Sequence, residues 1–311
     1  MSTNQSLCKD ERHQKRRFAA QILFALLFAL VTATGLALWN VPRAQADSEN
    51  SQTFYGPAKQ MGAGDARSYI TMKDGAPVEI GYELEVDALR SLPAPKPALH
   101  QHQMPGMHLD MTEYLLELPE QASSTPFKFL ELDWNPAGHE PPGIYDRPHF
   151  DFHFYTISQA ERDAIDPADP HFVHKAEHLP RPELLPASYI TPPPITAIPR
   201  MGVHWVSSQA EELHGKPFTQ TFLHGSWNGR MIFFEPMITR AFLEGKPDVS
   251  FPISAAQCYE PAGLYPTTYS IRYDGKSRTY RVALKDFVSR GCNEPGTKVA
   301  EIPEPAPGNQ Q

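Results

Sequence analysis

Alternating hydrophobic and polar positions recur in short runs along the chain and predict β-strands joined by turns. Residues 66–87 alternate on both sides of Asp74-Gly75, a dipeptide that favours a two-residue hairpin turn. Residues 267–273 and 278–287 alternate in the same way around Asp274-Gly275 and predict a second hairpin. We expect the two hairpins to be early and late strands of one sheet system.

Other segments show the same strand pattern and are separated by glycine and proline. These predicted strands are 111–118, 127–134, 149–155, 201–206, 218–223 and 231–234. The Ser158-x-x-Glu161 capping box predicts a short helix after the third of them. The chain has 32 prolines in 311 residues, which disfavours a helical bundle. We therefore predict a mainly β fold, an antiparallel sandwich or barrel, with a few short helices and long proline-rich loops.

The first 46 residues have the pattern of a signal peptide. A basic stretch (9–17) precedes an uncharged apolar run (18–39), and Ala44-Gln45-Ala46 has the small residues of a cleavage site. Cleavage before Asp47 would release the protein into the periplasm or the extracellular space. The alternative is a membrane anchor, since about 20 apolar residues can span a bilayer. Membrane attachment is expected only through this segment, and only if it stays uncleaved.

No central linker divides the remaining chain into two complete cores. We predict a flexible lead-in over 47–63, a single β-rich domain over 64–294 and a disordered proline-rich tail over 295–311. Removal of the signal peptide leaves two cysteines, Cys258 and Cys292. An even pair of cysteines in an oxidising compartment predicts a disulfide.

The strand over 149–155, HFDFHFY, carries the candidate chemistry. Side chains alternate faces along a strand, so His149, Asp151 and His153 share one face and the three phenylalanines share the other. The phenylalanines suit a packed core. Imidazole and carboxylate are ordinary ligands of zinc, iron, copper and manganese. The polar face therefore predicts a site for a divalent transition metal.

Further ligands must come from other strands or loops. His204, in MGVHWV, is the best third imidazole, and Asp151 or Glu235 would be the carboxylate ligand or the base. His224 and His139 are additional candidates, because both lie in segments next to predicted strands. A metal held by this set would polarise a substrate or activate water.

The spacing of the two histidines leaves other arrangements open. Cupin and carbonic-anhydrase sites use H-x-H, whereas here Asp151 stands midway between His149 and His153. One variant uses His149 and Asp151 as ligands, with His153 orienting a ligand from behind. Another contains no metal, and Asp151 hydrogen-bonds both rings in a buried polar network.

Several other function classes lack support. The net charge of −8 argues against a nucleic-acid partner, because phosphate binding needs clustered Lys and Arg. The chain has no G-x-S-x-G elbow, no phosphate-binding glycine loop and no dinucleotide fingerprint. Trp134, Trp205 and Trp227 would suit a sugar-binding surface if exposed, but tryptophan is more often a core residue.

Four strings of the sequence, taken in order, resemble an uncharacterised family of exported bacterial proteins. They are DARSYITMKDGAPVEIGYEL, DWNPAGHEPPGIYDRPHFDFHFY, MGVHW and FFEPMITRAFL, and the resemblance covers about residues 62–290. The family is a domain of unknown function, typified by a thermophile hypothetical protein under extracytoplasmic sigma-factor control. The resemblance implies a β-rich fold, ring-like self-association and a link to envelope stress. It assigns no activity, so no catalytic residue follows from it.

Two functional hypotheses result. The first is an exported metal-binding β protein, with its status as an enzyme left open and a small-molecule ligand allowed. The second is a non-enzymatic binding or self-assembling envelope protein, a homo-oligomer in which the His/Asp face is a structural network or an interface between subunits.

Overall fold

Two antiparallel sheets form the molecule. The computed structural model describes residues 50–95, 110–191 and 195–292, so the predicted signal peptide and the predicted proline-rich tail lie outside it. The first sheet contains β1 (Ser51–Tyr55), β2 (Lys59–Met61), β3 (Gly64–Lys73), β4 (Ala76–Glu85), β13 (Asp248–Pro252), β14 (Gly263–Asp274) and β15 (Thr279–Arg290). Its strand order is β1-β3-β4-β15-β14-β13, with β2 paired to β3.

The second sheet carries the predicted site. It contains β5 (Thr112–Leu116), β6 (Phe129–Asn135), β7 (His149–Tyr155), β8 (Tyr189–Ile190), β9 (Ala197–Ile198), β10 (Gly202–Ser207), β11 (Gln220–Trp227) and β12 (Arg230–Thr239). Its order is β5-β6-β7-β12-β11-β10-β8, with β9 paired to β10. The short helices are α1 (Gln159–Asp163), α2 (Phe172–Glu177) and α3 (Arg240–Glu244), and 3-10 turns cover Val86–Leu89, Glu120–Ser124, Pro182–Leu184 and Glu211–His214.

This architecture confirms the prediction of a mainly β fold, and of the two predicted forms it is the sandwich. β3 and β4 form the first predicted hairpin, and Asp74 and Gly75 both have the positive φ that a tight hairpin turn requires (52° and 79°). β14 and β15 form the second hairpin. β4 pairs with β15, so the early and late hairpins share one sheet as expected.

The hydrophobic core lies between the two sheets. Phe150, Phe152 and Phe154 on β7 are fully buried in it, as the alternation predicted. Tyr82 of the facing sheet packs edge-on against the rings of Phe152 and Phe154, at centroid distances of 5.0 and 5.1 Å. The Tyr82 hydroxyl donates a hydrogen bond to the carbonyl oxygen of His153, 2.5 Å away. The two sheets are therefore joined directly behind the strand that carries the candidate ligands.

The opposite face of the second sheet is covered by the excursion between β7 and β10. A second cluster of buried apolar residues forms there, which includes Tyr155, Ile165, Phe172 and Phe233. Helix α1 begins at the predicted capping box, in which Ser158 and Glu161 bond each other's backbone N–H groups. This cover explains why the polar face of β7 is as buried as its apolar face.

Two features differ from the sequence prediction. Part of the predicted flexible lead-in forms β1 and β2, because Thr53 and Phe54 are half-buried and β1 pairs with β3 along its whole length. β13 was not predicted; it lies at the edge of the first sheet, and none of its residues is fully buried. Cys258 and Cys292 form the expected disulfide. Within the described ranges, no helix has both the length and the apolar character needed to cross a membrane.

Candidate metal centre

Polar side chains line one face of the second sheet across three adjacent strands. The register pairs His153 with Glu131, Asp151 with Asp133, and His149 with Asn135, so β6 places a polar residue beside each candidate on β7. On the other side of β7, β12 contributes Glu235, which is 1% exposed. A buried polar layer of this kind is costly unless its charges are compensated.

The first triad consists of His153, His204 and Glu235. The Nε2 atom of His153 lies 3.6 Å from Glu235 Oε1, and the Nε2 atom of His204 lies 3.5 Å from Glu235 Oε2. One ligand atom from each residue lies within 4.8 Å of the others. His153 and Glu235 are buried, whereas the His204 side chain is 26% exposed. The triad is therefore open to the surface on the His204 side.

The hydrogen bonds around His153 are incomplete. Its Nδ1 lies 3.3 Å from Asp133 Oδ2, and its Nε2 faces Glu235. Both ring nitrogens lack a hydrogen bond of acceptable geometry, as do both carboxylate oxygens of Asp133. A neutral imidazole has only one N–H group and cannot donate to both sides. A proton on one carboxyl group, or a cation at Nε2, would resolve this conflict.

The electrostatics favour uncharged groups in the first triad when no cation is bound. Burial lowers the pKa of His153 and lowers that of His204 to about 3. Burial, followed by repulsion from neighbouring carboxylates, raises the pKa of Glu235 and Asp133 well above their usual values. Neutral imidazoles keep the lone pair that a metal ligand needs. The residues of this triad therefore fit a divalent cation.

The second triad consists of His139, His149 and Asp151. The Nε2 atoms of the two histidines lie 3.7 and 3.1 Å from the Asp151 carboxylate. Their Nδ1 atoms lie 2.7 and 2.6 Å from the carbonyl oxygens of Glu140 and Arg147. These contacts place the protons on Nδ1, and both Nε2 atoms then point at the carboxylate.

The second triad can also be interpreted as a buried ion pair that contains no metal. Burial raises the pKa of Asp151, but His149 and His139 outweigh it and hold the pKa well below its usual value. Burial lowers the pKa of His139, yet its contacts with Asp151 raise the pKa overall. Asn135 also donates a hydrogen bond of 2.7 Å to Asp151. The second triad can therefore carry imidazolium and carboxylate charges without a metal. The first triad cannot do this as well, because its groups favour their uncharged forms.

A third cluster consists of three carboxylates, and arginine side chains are already paired with it. Glu113, Glu131 and Asp133 also come within 4.8 Å of one another. Arg162, 2% exposed, bonds Glu131 and lies 3.2 Å from Glu113, and Arg200 lies 2.7 Å from Glu113. Burial still raises the pKa of Glu131 to about 8. The guanidinium groups occupy the position that a cation would need.

The backbone beside the first triad is shaped by Gly225 on β11. A Cβ at this position would lie 2.1 Å from the ring of Phe233, which therefore rests directly on the glycine. Phe233 contacts the rings of His153 and His204, with centroid distances of 4.7 and 5.3 Å. The glycine thus lets an aromatic ring pack against both imidazoles.

The structure divides the single predicted site in two. His149 and Asp151 join His139, whereas His153 joins His204 and Glu235. His224 joins neither triad. It lies on the opposite face of the sheet, with its ring 4.9 Å from Phe234, because His224 pairs directly with Phe234 whereas its neighbour Leu223 pairs with Glu235.

Sequence reasoning missed the carboxylates of β6. The string FLELDWN alternates acidic and apolar residues as regularly as HFDFHFY does, and this signal could have identified Glu131 and Asp133. The tryptophans do not form a sugar-binding surface. Trp134 and Trp205 are buried, and Trp227 packs on Phe172 with a centroid distance of 5.1 Å.

Comparison with known proteins gives one finding. No curated protein and no solved structure matches the chain. A family model matches residues 73–134, which run from the end of β3 through most of β6 and include Glu131 and Asp133 but neither triad. Over this segment the chain is similar to the family described as TTHB210-like, hypothetical protein TTHB210.

Proposed function

We propose that this protein is an exported metal-binding protein that holds a divalent transition-metal ion between His153, His204 and Glu235. The observation that carries the proposal is the convergence of two imidazole Nε2 atoms and a carboxylate from three strands. His153 Nε2 and Glu235 Oε2 are buried and have no hydrogen-bond partner. Buried polar groups are normally paired, so an unpaired set of this kind points to a missing partner.

The donor set favours a particular class of metal. Two histidines and one carboxylate are the ligands of many catalytic zinc sites and of non-haem iron sites. Such a set leaves coordination positions open, and the partial exposure of His204 gives solvent a route to them. Asp133, behind His153 Nδ1, is placed to orient the ring as outer carboxylates do in metal sites. A bound ion would supply activation of water or polarisation of a substrate.

The location is part of the same proposal. The disulfide between Cys258 and Cys292 is compatible with an oxidising compartment. Together with the signal-like residues 1–46, it supports export to the periplasm or the extracellular space. Mass spectrometry of the protein purified from an oxidising compartment would detect cleavage before Asp47.

Metal analysis tests the proposal directly. The purified protein, stripped with a chelator and titrated with zinc, manganese or iron(II) by calorimetry, should bind about one equivalent of at least one of them. Glu235→Gln should weaken binding by about tenfold or more, because it removes the charged ligand. His171→Gln is the matched control, since exposed His171 belongs to neither triad. Absence of binding by all three metals would refute the proposal.

The same titration determines the role of the second triad. A second equivalent that is lost in His149→Gln would mean that His139, His149 and Asp151 also bind metal. One equivalent that persists in His149→Gln would leave this triad as the buried ion pair. If the wild-type protein binds no metal and His149→Ala/His153→Ala changes its size in solution, the alternative of a self-assembling protein gains support.

A further inference from the structure

A cavity lies on the face of the second sheet that is turned away from both triads. Its volume is about 310 Å³, and its walls include Leu184, Met231, Phe234, Tyr259 and Tyr265. Phe234 alternates with Phe233 and Glu235 along β12, so successive side chains of one strand serve the cavity and the first triad in turn. The cavity is therefore separate from the candidate metal centre.

His224 is the polar group of this cavity. Its side chain lines the wall and is 2% exposed, and its Nε2 has no hydrogen-bond partner. Aromatic rings surround it, with Tyr189 and Phe234 at centroid distances of 4.8 and 4.9 Å. An unpaired buried nitrogen destabilises the folded protein, and a hydrogen bond with a bound molecule would offset this cost.

The aromatic wall opposite the sheet is held in place by the disulfide segment. Cys258 is bonded to Cys292, whose N–H donates to the carbonyl oxygen of Tyr259 (3.1 Å). The Tyr265 hydroxyl donates to the carbonyl oxygen of Pro261 (2.7 Å). Because bonds within the protein hold the backbone of Tyr259 and the hydroxyl of Tyr265, the space between the two rings is formed before any ligand enters.

The charged side chains that line the cavity are exposed and already paired. Arg230 and Glu260 are more than half exposed and are paired with Glu161 and Arg181, at 3.3 and 2.6 Å. The remaining wall is apolar or aromatic apart from Thr156 and His224. A charged ligand would lose its hydration here without gaining a partner, so the cavity favours an uncharged molecule.

We propose that this cavity binds a small uncharged molecule with one aromatic ring and one hydroxyl group, which forms a hydrogen bond with His224 Nε2. The ring would pack against Phe234, Tyr259 and Tyr265. A hydroxyl group both donates and accepts, so it can pair with either tautomer of the imidazole. The volume lies at the small end of the range for ligand sites and suits a single substituted ring.

Calorimetric titration with 4-methylphenol and toluene tests this proposal. The two probes differ by the hydroxyl group, and chelator-treated protein keeps the metal centre out of the measurement. We expect 4-methylphenol to bind wild type about tenfold more tightly than toluene, the effect of one buried hydrogen bond. His224→Phe should reduce this preference to about one, and His224→Gln, which keeps a polar nitrogen, should retain most of it.

Three results would overturn the proposal: neither probe binds the wild-type protein, both bind with equal affinity, or the preference survives in His224→Phe. The wild-type comparison and His224→Gln decide the matter even if His224→Phe does not fold. Zinc titrated into the same preparation reports on the first triad. Loss of 4-methylphenol binding with intact zinc binding would refute this inference alone, and the reverse would refute the proposed function alone.

Discussion

Replacement of His224 by phenylalanine should make the protein less sensitive to acid. Burial lowers the pKa of His224 from 6.5 to about 3, and the side chain is 2% exposed in the folded protein. Between these two pH values the unfolded chain binds a proton that the folded protein does not bind. The folded state therefore loses stability as the pH falls through this range, and the full stability is present above pH 6.5.

The size of the effect follows from the two pKa values. A difference of one pKa unit corresponds to about 1.4 kcal/mol. Between pH 7 and pH 5, the titration of His224 should lower the free energy of unfolding by about 2 kcal/mol. His224→Phe keeps a ring in the same place but carries no titrating nitrogen, so it should lack this contribution.

Urea unfolding of chelator-treated protein at pH 7 and pH 5 measures the difference. The wild-type protein should lose about 2 kcal/mol more than His224→Phe between the two conditions. Groups in the two triads contribute to both proteins and cancel in the comparison. His214→Phe is the matched control for the loss of a histidine, because His214 is exposed and belongs to neither triad nor the cavity. Equal losses in wild type and His224→Phe would refute the assignment of a buried, neutral imidazole.

Three further substitutions test the packing and the charges around the candidate sites. Gly225→Ala should destabilise the protein by about 1–3 kcal/mol in thermal unfolding and weaken zinc binding, because its Cβ would displace the Phe233 ring that packs against both imidazoles. Unchanged zinc affinity would contradict the role given to this glycine. Arg162→Met should cost about 3–5 kcal/mol in chemical denaturation, because it leaves Glu131 without its partner, and adding Glu131→Gln should restore part of the loss. Cys258→Ser should cost about 4 kcal/mol, since the disulfide closes a loop with a sequence separation of 34 residues, and a stability equal to that of wild type would show that the bridge contributes little.

The elements that depend on local pattern were predictable from sequence. The hairpin turn follows from Asp74-Gly75, two residues that accept the positive φ of a tight turn. The strand HFDFHFY follows from its two-residue periodicity, since successive side chains of a strand point to opposite faces. The edge strands β1 and β13 were not predictable in the same way, because none of their side chains is fully buried and the apolar half of the alternation is therefore weak. The pairing of β4 with β15 was expected only because their two hairpins have similar alternating patterns around an Asp-Gly turn.

Which residues meet in each triad depends on the order of the strands in the sheet. The residues of a single strand do not reveal that order. His204 and Glu235 reach His153 because β12 lies directly beside β7 and β10 lies two strands further along. The pairing of His224 with Phe234 determines the face on which His224 lies, and a register shift of one residue would have placed its ring on the triad side. Such a shift cannot be read from the residue types.

The charge balance of the polar layer gives the physical reason to expect a cation. Four carboxyl groups, those of Glu131, Asp133, Asp151 and Glu235, are at most 4% exposed. Among the residues that the structure describes on this face, Arg162 is the buried guanidinium that opposes them. The second triad supplies imidazolium charge for Asp151, whereas the two imidazoles of the first triad favour their neutral forms. Glu235 and Asp133 must therefore carry protons or face a bound cation, and zinc binding at neutral pH should release protons from them, to an extent measurable from the buffer dependence of the binding enthalpy.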